Sequence, residues 1–231
     1  MPITLITGGN KGLGREAARR LVGLGHTVYI GARDTGRGKA AAEEIGARFV
    51  RLDITDDASV AAAAAQLDET EGRLDVLVNN AGVFEGLLRP EDITAAETRF
   101  VYDVNVFGVV RTTHAFLPLL RASAAPVIVN VSSGLGSFGV VTDARRHESA
   151  FASPVYGSSK AAVGMLTVQY AKALPDVRVN AVDPGFTATD LNGSTGPQTV
   201  EEGTDAIVRL ATIGPDGPTG TFSDRAGVLP W

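Results

Sequence analysis

Short apolar runs recur along the chain, each bounded by glycine, proline or a polar residue. They predict strands at Ile3–Thr7, Thr27–Gly31, Arg48–Leu52, Leu74–Asn79, Pro126–Val131 and Val177–Val182, with a short one near Thr219–Phe222. Between them lie stretches of Ala, Leu, Glu and Arg, such as Gly12–Leu24, Gly36–Ile45 and Ser59–Thr70, that predict helices. Apolar strands alternating with helices are the pattern of a parallel sheet covered on both faces, so the expectation is an α/β three-layer sandwich on a doubly wound parallel sheet of about seven strands. No internal repeat or linker divides the chain, and residues 1–231 are expected to form a single domain. Ser137–Pro154 and Phe186–Gln198 carry glycine, serine and proline without periodicity and are expected to be loops beside the site.

Composition narrows the function. With 231 residues, 44% of them hydrophobic, the chain can bury one sizeable core. The net charge of −5 is mild and the cations form no stripe, so no nucleic-acid partner is expected. No apolar run reaches bilayer length, and no membrane association is expected. Met1–Thr7 already reads as strand, without a basic region or cleavage site, which makes a cytoplasmic location the expectation. The absence of cysteine excludes disulfides, thiol nucleophiles and thiolate metal sites. His26, His114 and His147 lie far apart, so no metal is expected, and His114 reads as structural.

The first strand runs into Thr7-Gly8-Gly9-Asn10-Lys11-Gly12-Leu13-Gly14, and a helix follows. Glycines allow a tight turn and a close backbone approach to a pyrophosphate, while the helix start presents N–H groups and a positive dipole end. The spacing is not GxGxxG, and a tight strand-to-helix turn without a ligand would account for the glycines alone. Where folds that select NAD place a carboxylate at the end of strand two, this chain has Ala32-Arg33. Arg33 and Lys11 suit a ribose phosphate, unless the strand ends one residue later and puts Asp34 there.

Tyr156 and Lys160 stand four apart in a segment that reads as helix, so they share a face. A phenol has a pKa of about 10, and a neighbouring ammonium eases its proton exchange. Val127–Val131 leads to Ser132-Ser133 at a strand end, where hydroxyls face the ligand crevice of such sheets or close the strand with local bonds. Asn105 lies inside a helical stretch, where a buried amide needs partners.

Together these segments resemble the short-chain dehydrogenase/reductase family. The pattern T-G-x-x-x-G-x-G, Asp53 after strand three, Asn79-Asn80-Ala81-Gly82 after strand four, Tyr156-Gly157-Ser158-Ser159-Lys160 and Asp183-Pro184-Gly185 occur in the family's order. Gly8-Gly9-Asn10-Lys11-Gly12 with Ala32-Arg33-Asp34 is similar to the carbonyl reductase subgroup. The resemblance implies a Rossmann-type fold in which Tyr156 protonates the carbonyl oxygen and Lys160 binds the nicotinamide ribose. It further implies that Ser133 rather than Ser132 orients the substrate and that Asn105 holds a proton-relaying water. Implied cofactor contacts are Gly8, Asn10, Lys11, Gly12, Leu13, Gly14 and Arg33, then Asp53 and Ile54 at adenine. Asn80, Ala81 and Gly82 would run beside the adenosine ribose, with Asn79 tying strands together, and Pro184, Gly185, Thr187 and Thr189 would follow the nicotinamide side. The implied activity is NADPH-dependent reduction of a ketone or aldehyde, by a monomer or homodimer acting on a small-molecule carbonyl. An alcohol or hydroxysteroid-type dehydrogenase working oxidatively is the alternative, and a non-catalytic dinucleotide sensor the remote one. Leu135, Phe138, Val140, Val141, Phe84, Phe186 and Leu191 are candidates for an apolar pocket wall. The Ser133–Tyr156 interval is longer than in many relatives, and its charged tail Asp143–Glu148 is expected to be a solvated face.

Overall fold

The computed structural model describes residues 1–231 except Glu85 and Leu87. Seven strands form one sheet: β1 (Ile3–Thr7), β2 (Thr27–Ala32), β3 (Arg48–Arg51), β4 (Val76–Asn79), β5 (Val127–Val131), β6 (Arg178–Val182) and β7 (Phe222–Ser223). Every residue of β1, β4 and β5 is buried, as strands covered on both faces require. The strands are all parallel in the order β3-β2-β1-β4-β5-β6-β7. The chain thus winds outward from β1 to one edge, returns to β4 and winds to the other, leaving a crevice between the C-terminal ends of β1 and β4.

The helices are α1 (Gly12–Gly23), α2 (Thr35–Ile45), α3 (Asp57–Glu71), α4 (Ala95–Tyr102), α5 (Gly108–Arg121), α6 (Phe138–Val141), α7 (Pro154–Ala173), α8 (Val200–Gly203) and α9 (Asp205–Ala211). Alternate strand residues feed two cores. Ile6, Ile30, Val78 and Val129 pack with Ala18 and Leu21 of α1, Ala42 of α2 and Ile207 of α9. Leu5, Leu77, Ile128 and Val179 pack on the opposite face with Leu67 of α3 and Phe116 and Leu120 of α5, joined by Tyr170 and Ala171 of α7. The result is the Rossmann-type three-layer sandwich. Among the described residues, no helix is long and apolar enough to cross a membrane.

A polar seam crosses the second core. Asn79 Nδ2 donates to Asn130 Oδ1 at 2.9 Å, Asn130 Nδ2 to Thr167 Oγ1 at 2.9 Å, and Thr112 Oγ1 to Asn79 Oδ1 at 2.7 Å. Asn79 therefore ties β4 to β5 and α5, every partner satisfied as burial demands.

Some element limits differ from the sequence pattern. β2 runs one residue further, to Ala32. β4 starts at Val76, because Leu74 gives its N–H to Leu119 O at the end of α5. β7 is displaced to Phe222–Ser223 because Gly220 turns the backbone in the left-handed region, φ +70°. The presumed loop Ser137–Pro154 holds the short helix α6, started by Ser137 Oγ accepting the Val140 N–H at 3.0 Å, and a 3-10 turn at His147–Ala150.

Candidate active site

The glycine turn joins β1 to α1. Gly8 and Gly12 both take left-handed φ values, +64° and +53°. A side chain at Gly14 would collide with Asn80 Nδ2 and lie 2.6 Å from the Gly8 carbonyl oxygen. Asn80 holds this turn by donating to Thr7 O at 2.9 Å and Gly8 O at 3.2 Å, while Thr7 Oγ1 accepts the N–H groups of Asn80 and Ala81. The starts of the first three helices differ. Asp34 and Asp56 cap α2 and α3 through their carboxylates, whereas Lys11 makes no side-chain cap at α1, whose first turn carries no acid. Residues 11–14 line a cleft of about 450 Å³. An uncapped helix start on a turn too tight for a side chain fits the polyphosphate of a dinucleotide.

Towards one end of the cleft lie Arg33, Asp53 and Ile54. Asp34 is turned away from it: Oδ1 accepts the Arg37 N–H at 2.9 Å and Oδ2 pairs with the Arg37 guanidinium at 2.8 Å. Those bonds hold its carboxyl below the usual range. Asp53 Oδ1 accepts both the N–H and the hydroxyl of Thr55, at 3.0 and 2.7 Å. Lys11 meets Asp190 at 3.3 Å across the cleft mouth, both exposed.

At the other end stand Tyr156 and Lys160, one turn apart on α7, which Pro154 starts at its first position. Lys160 is buried, its Nζ donating to Val131 O at 2.8 Å and lying 5.5 Å from the Tyr156 ring centre. Burial pulls its pKa down to about 8, against an opposing pull from the Asp183 carboxylate. Phe84 meets the Tyr156 ring edge to face at 5.3 Å. The Ser132 hydroxyl is taken up by the Lys160 carbonyl at 3.0 Å. Ser133 Oγ accepts the Leu135 N–H at 3.2 Å, a bond that uses a lone pair and leaves the hydroxyl proton for another partner.

Asn105 sits in a π-helical turn, Asp103–Phe107, between α4 and α5. Its Oδ1 accepts the Val83 N–H at 2.8 Å, and its Nδ2 donates to Val83 O and Ser159 Oγ, both at 3.0 Å. The side chain thus fastens the segment following β4 to the helix carrying Tyr156 and Lys160.

Most of the expected site residues converge on this one cleft. Its lining includes Gly8, Asn10, Lys11, Gly12, Leu13, Gly14, Arg33, Asp53, Ile54, Asn80, Ala81, Gly82, Tyr156, Lys160, Pro184 and Thr189. Asn105, Ser133, Gly185 and Thr187 are not part of that lining: Ser132 stands on it next to Ser133, Gly185 lines the neighbouring crevice, and the Thr187 hydroxyl is drawn into its own turn by the Pro184 carbonyl at 2.9 Å. Of the apolar candidates, Phe84 and Leu191 line the cleft, whereas Val140 is core and Phe138 points to solvent. Phe100 and Val104, one helical turn apart, complete the apolar wall. Their spacing, with Asn105 alongside, was the available signal. Asp143–Arg145 is a solvated ion pair as its charge suggests, but His147 is not idle. It stacks on Phe186 at 6.0 Å and meets Phe151 at 4.8 Å. No group of His, Asp and Glu suited to a metal ion occurs among the described residues.

Comparison with known proteins agrees with this geometry. Residues 2–199 match the family model for short chain dehydrogenases. The chain is 33% identical to a (+)-neomenthol dehydrogenase of Arabidopsis thaliana, across 97% of this chain and 96% of that protein. It is 30% identical to a salutaridine reductase of Papaver bracteatum, across 97% and 94%. The solved structure of an NADPH-bound carbonyl reductase from chicken fatty liver superposes with a TM-score of 0.87 at 27% identity, all of both chains being covered.

Proposed function

The chain belongs to the short-chain dehydrogenase family, and from that membership we propose that it is an NADPH-dependent reductase of ketones or aldehydes, working as a single dinucleotide-binding domain over residues 1–231. The observation that carries this reading is the placement of Tyr156 and the buried Lys160 on the cleft that the glycine turn also lines. NADPH bound there would supply the hydride. The chain's own groups supply the rest. Tyr156 delivers a proton to the carbonyl oxygen, and the Lys160 ammonium, held by Val131 O, stabilises the phenolate that proton transfer leaves. Ser133, with its proton to donate, orients the same oxygen. Asn105 keeps α7 and the segment after β4 in register around the pair. The wall of Phe84, Phe100, Val104 and Leu191 favours a bulky apolar carbonyl compound.

The preference for NADPH rests on the end of β2. Asp34, the acid that would otherwise hold ribose hydroxyls, is spent on the α2 cap and Arg37. Arg33 and Lys11 line the cleft in its place and suit a phosphate. The test follows nicotinamide absorbance with NADPH and NADH against a panel of cyclic ketones, aldehydes and quinones, and with secondary alcohols for the reverse reaction. We expect carbonyl reduction with NADPH preferred, and Arg33→Ala to weaken NADPH roughly ten- to a hundred-fold while NADH changes little. A parent that favours NADH, or an Arg33→Ala variant that loses both cofactors equally, would refute the reading.

A further inference from the structure

Asp183 follows β6 and is only 5% exposed, yet the reaction described above gives its carboxylate no part. Oδ1 accepts the Gly185 N–H at 3.0 Å, and Oδ2 faces Gly134. The approach is close enough that a side chain at Gly134 would lie 2.9 Å from Asp183 Oδ2. Gly134 follows Ser133, and Gly185 follows Pro184. One carboxylate therefore lies between the turn of the candidate substrate-orienting serine and the turn that bounds the cleft at Pro184.

The same residue stands at the strand ends beside Lys160. Val131, whose carbonyl holds the ammonium, is paired with Val182, and Asp183 comes next. An ammonium buried against a carbonyl and a phenol ring calls for a compensating charge. Other charged groups approach Asp183 from the far side of the Pro184 wall. Burial, helped by repulsion from Glu148 and Asp224, pushes the Asp183 carboxyl above its usual range, against the pull of the backbone at Gly185 and Gly134. Arg146, His147 and Arg225 line the crevice there. Arg146 pairs with Glu148 at 3.4 Å, and Arg225 pairs with Glu202 and Asp205 at 2.7 and 3.0 Å. From the cleft side, Lys160 feels the Asp183 charge.

We propose that Asp183 is a positioning residue for the carbonyl reaction: ionised, it locks the Ser133 turn to the Pro184–Gly185 turn and serves as the counter-charge of the buried Lys160 ammonium. This rests on the functional reading above, in which Lys160 must be charged to support Tyr156. Removing a negative charge beside an ammonium makes the ammonium lose its proton more readily. That sign does not depend on which substrate is reduced.

The test is NMR titration of the lysine 13Cε resonances, of which the chain has four: Lys11, Lys39, Lys160 and Lys172. Lys160→Met identifies the resonance of interest. In the parent its midpoint is expected at about 8. In Asp183→Asn it should fall by roughly one to two pH units, the other three lysines staying in place. An amide can accept from only one of the two turns, so kcat should also fall roughly ten- to a hundred-fold. An unmoved Lys160 midpoint overturns the proposal, even if stability or kcat declines, because that pattern is merely structural. Should Asp183→Asn fail to fold, titration of the parent's aspartate 13Cγ resonances decides the matter: an Asp183 still protonated at neutral pH overturns it. The titrations need no turnover, so a chain that reduces no carbonyl would refute the function by a separate result.

Discussion

Lys160→Met should make the protein more stable at neutral pH while abolishing its turnover. Lysine has an ordinary pKa of 10.5, and burial lowers that of Lys160 to about 8. Between those values the unfolded chain binds the extra proton, so stability rises with pH across the window; below about 8 the folded state carries the full penalty of holding a buried charge. The gap corresponds to about 3 kcal/mol. Methionine has a similar shape and no charge. It forfeits the bond from Nζ to Val131 O, 2.8 Å long, which offsets about 1 kcal/mol of the gain. The variant should therefore be about 2 kcal/mol more stable than the parent at pH 7, raising its urea midpoint by roughly 0.5–1 M. Above pH 8 the parent should close the gap, and beyond pH 10.5 the variant should keep no advantage. Equilibrium urea unfolding of both proteins at pH 7, 9 and 10.5 measures this directly, since every other titrating group is shared. If the variant were less stable than the parent at pH 7, by an amount that does not change with pH, Lys160 would be an ordinary packed side chain. Its role as a buried cation would then be wrong.

Tyr156→Phe keeps the ring packed against Phe84 and removes only the hydroxyl, so turnover should fall ~100- to 10,000-fold with cofactor binding, followed by fluorescence, nearly unchanged. Gly14→Ala places a carbon against Asn80 Nδ2 and the Gly8 carbonyl, and should cost at least tenfold in dinucleotide affinity by isothermal calorimetry; affinity within twofold of the parent would contradict the cradle. Asn105→Ala strips partners from the Val83 N–H and C=O and should lower unfolding stability by about 1–3 kcal/mol. An unchanged urea midpoint in that variant would mean the fastening is dispensable.

The strands were legible because parallel sheets write their burial as apolar runs; even so, β4 and β7 were misplaced at an end. Leu74 is apolar but gives its N–H to Leu119, and the turn at Gly220 precedes β7, neither of which a run of hydrophobicity reports. The cleft was legible where backbone geometry demands a residue type, as at Gly8, Gly12 and Gly14. Asp34 shows the opposite case. Its neighbour Arg33 reads plainly, but the loyalty of its carboxylate is decided by the helix it caps. Likewise, nothing in the chain near Asp183 marks it as the meeting point of two turns, since Gly134 lies on another strand end altogether. Contacts between distant segments are the part that a linear pattern leaves unwritten.

The π turn at Asp103–Phe107 also makes the chain count residues. A turn closed by the Gly108 N–H onto Asp103 O holds one residue more than an α turn would, so the helix leaves it rotated by about 100° relative to the way it entered. On the entering side that angle aims Phe100 and Val104 at the cleft; on the leaving side it lays Phe116 and Leu120 on the sheet. The two halves are out of phase, and each is correct only because of the offset. Deleting any single residue from 103 to 107 would restore a regular helix and set both faces at odds, whereas trimming one from the exposed stretch at Ala144–Arg145 disturbs no such phase. This short segment works as a vernier between binding wall and core, and its length is under tighter constraint than its composition.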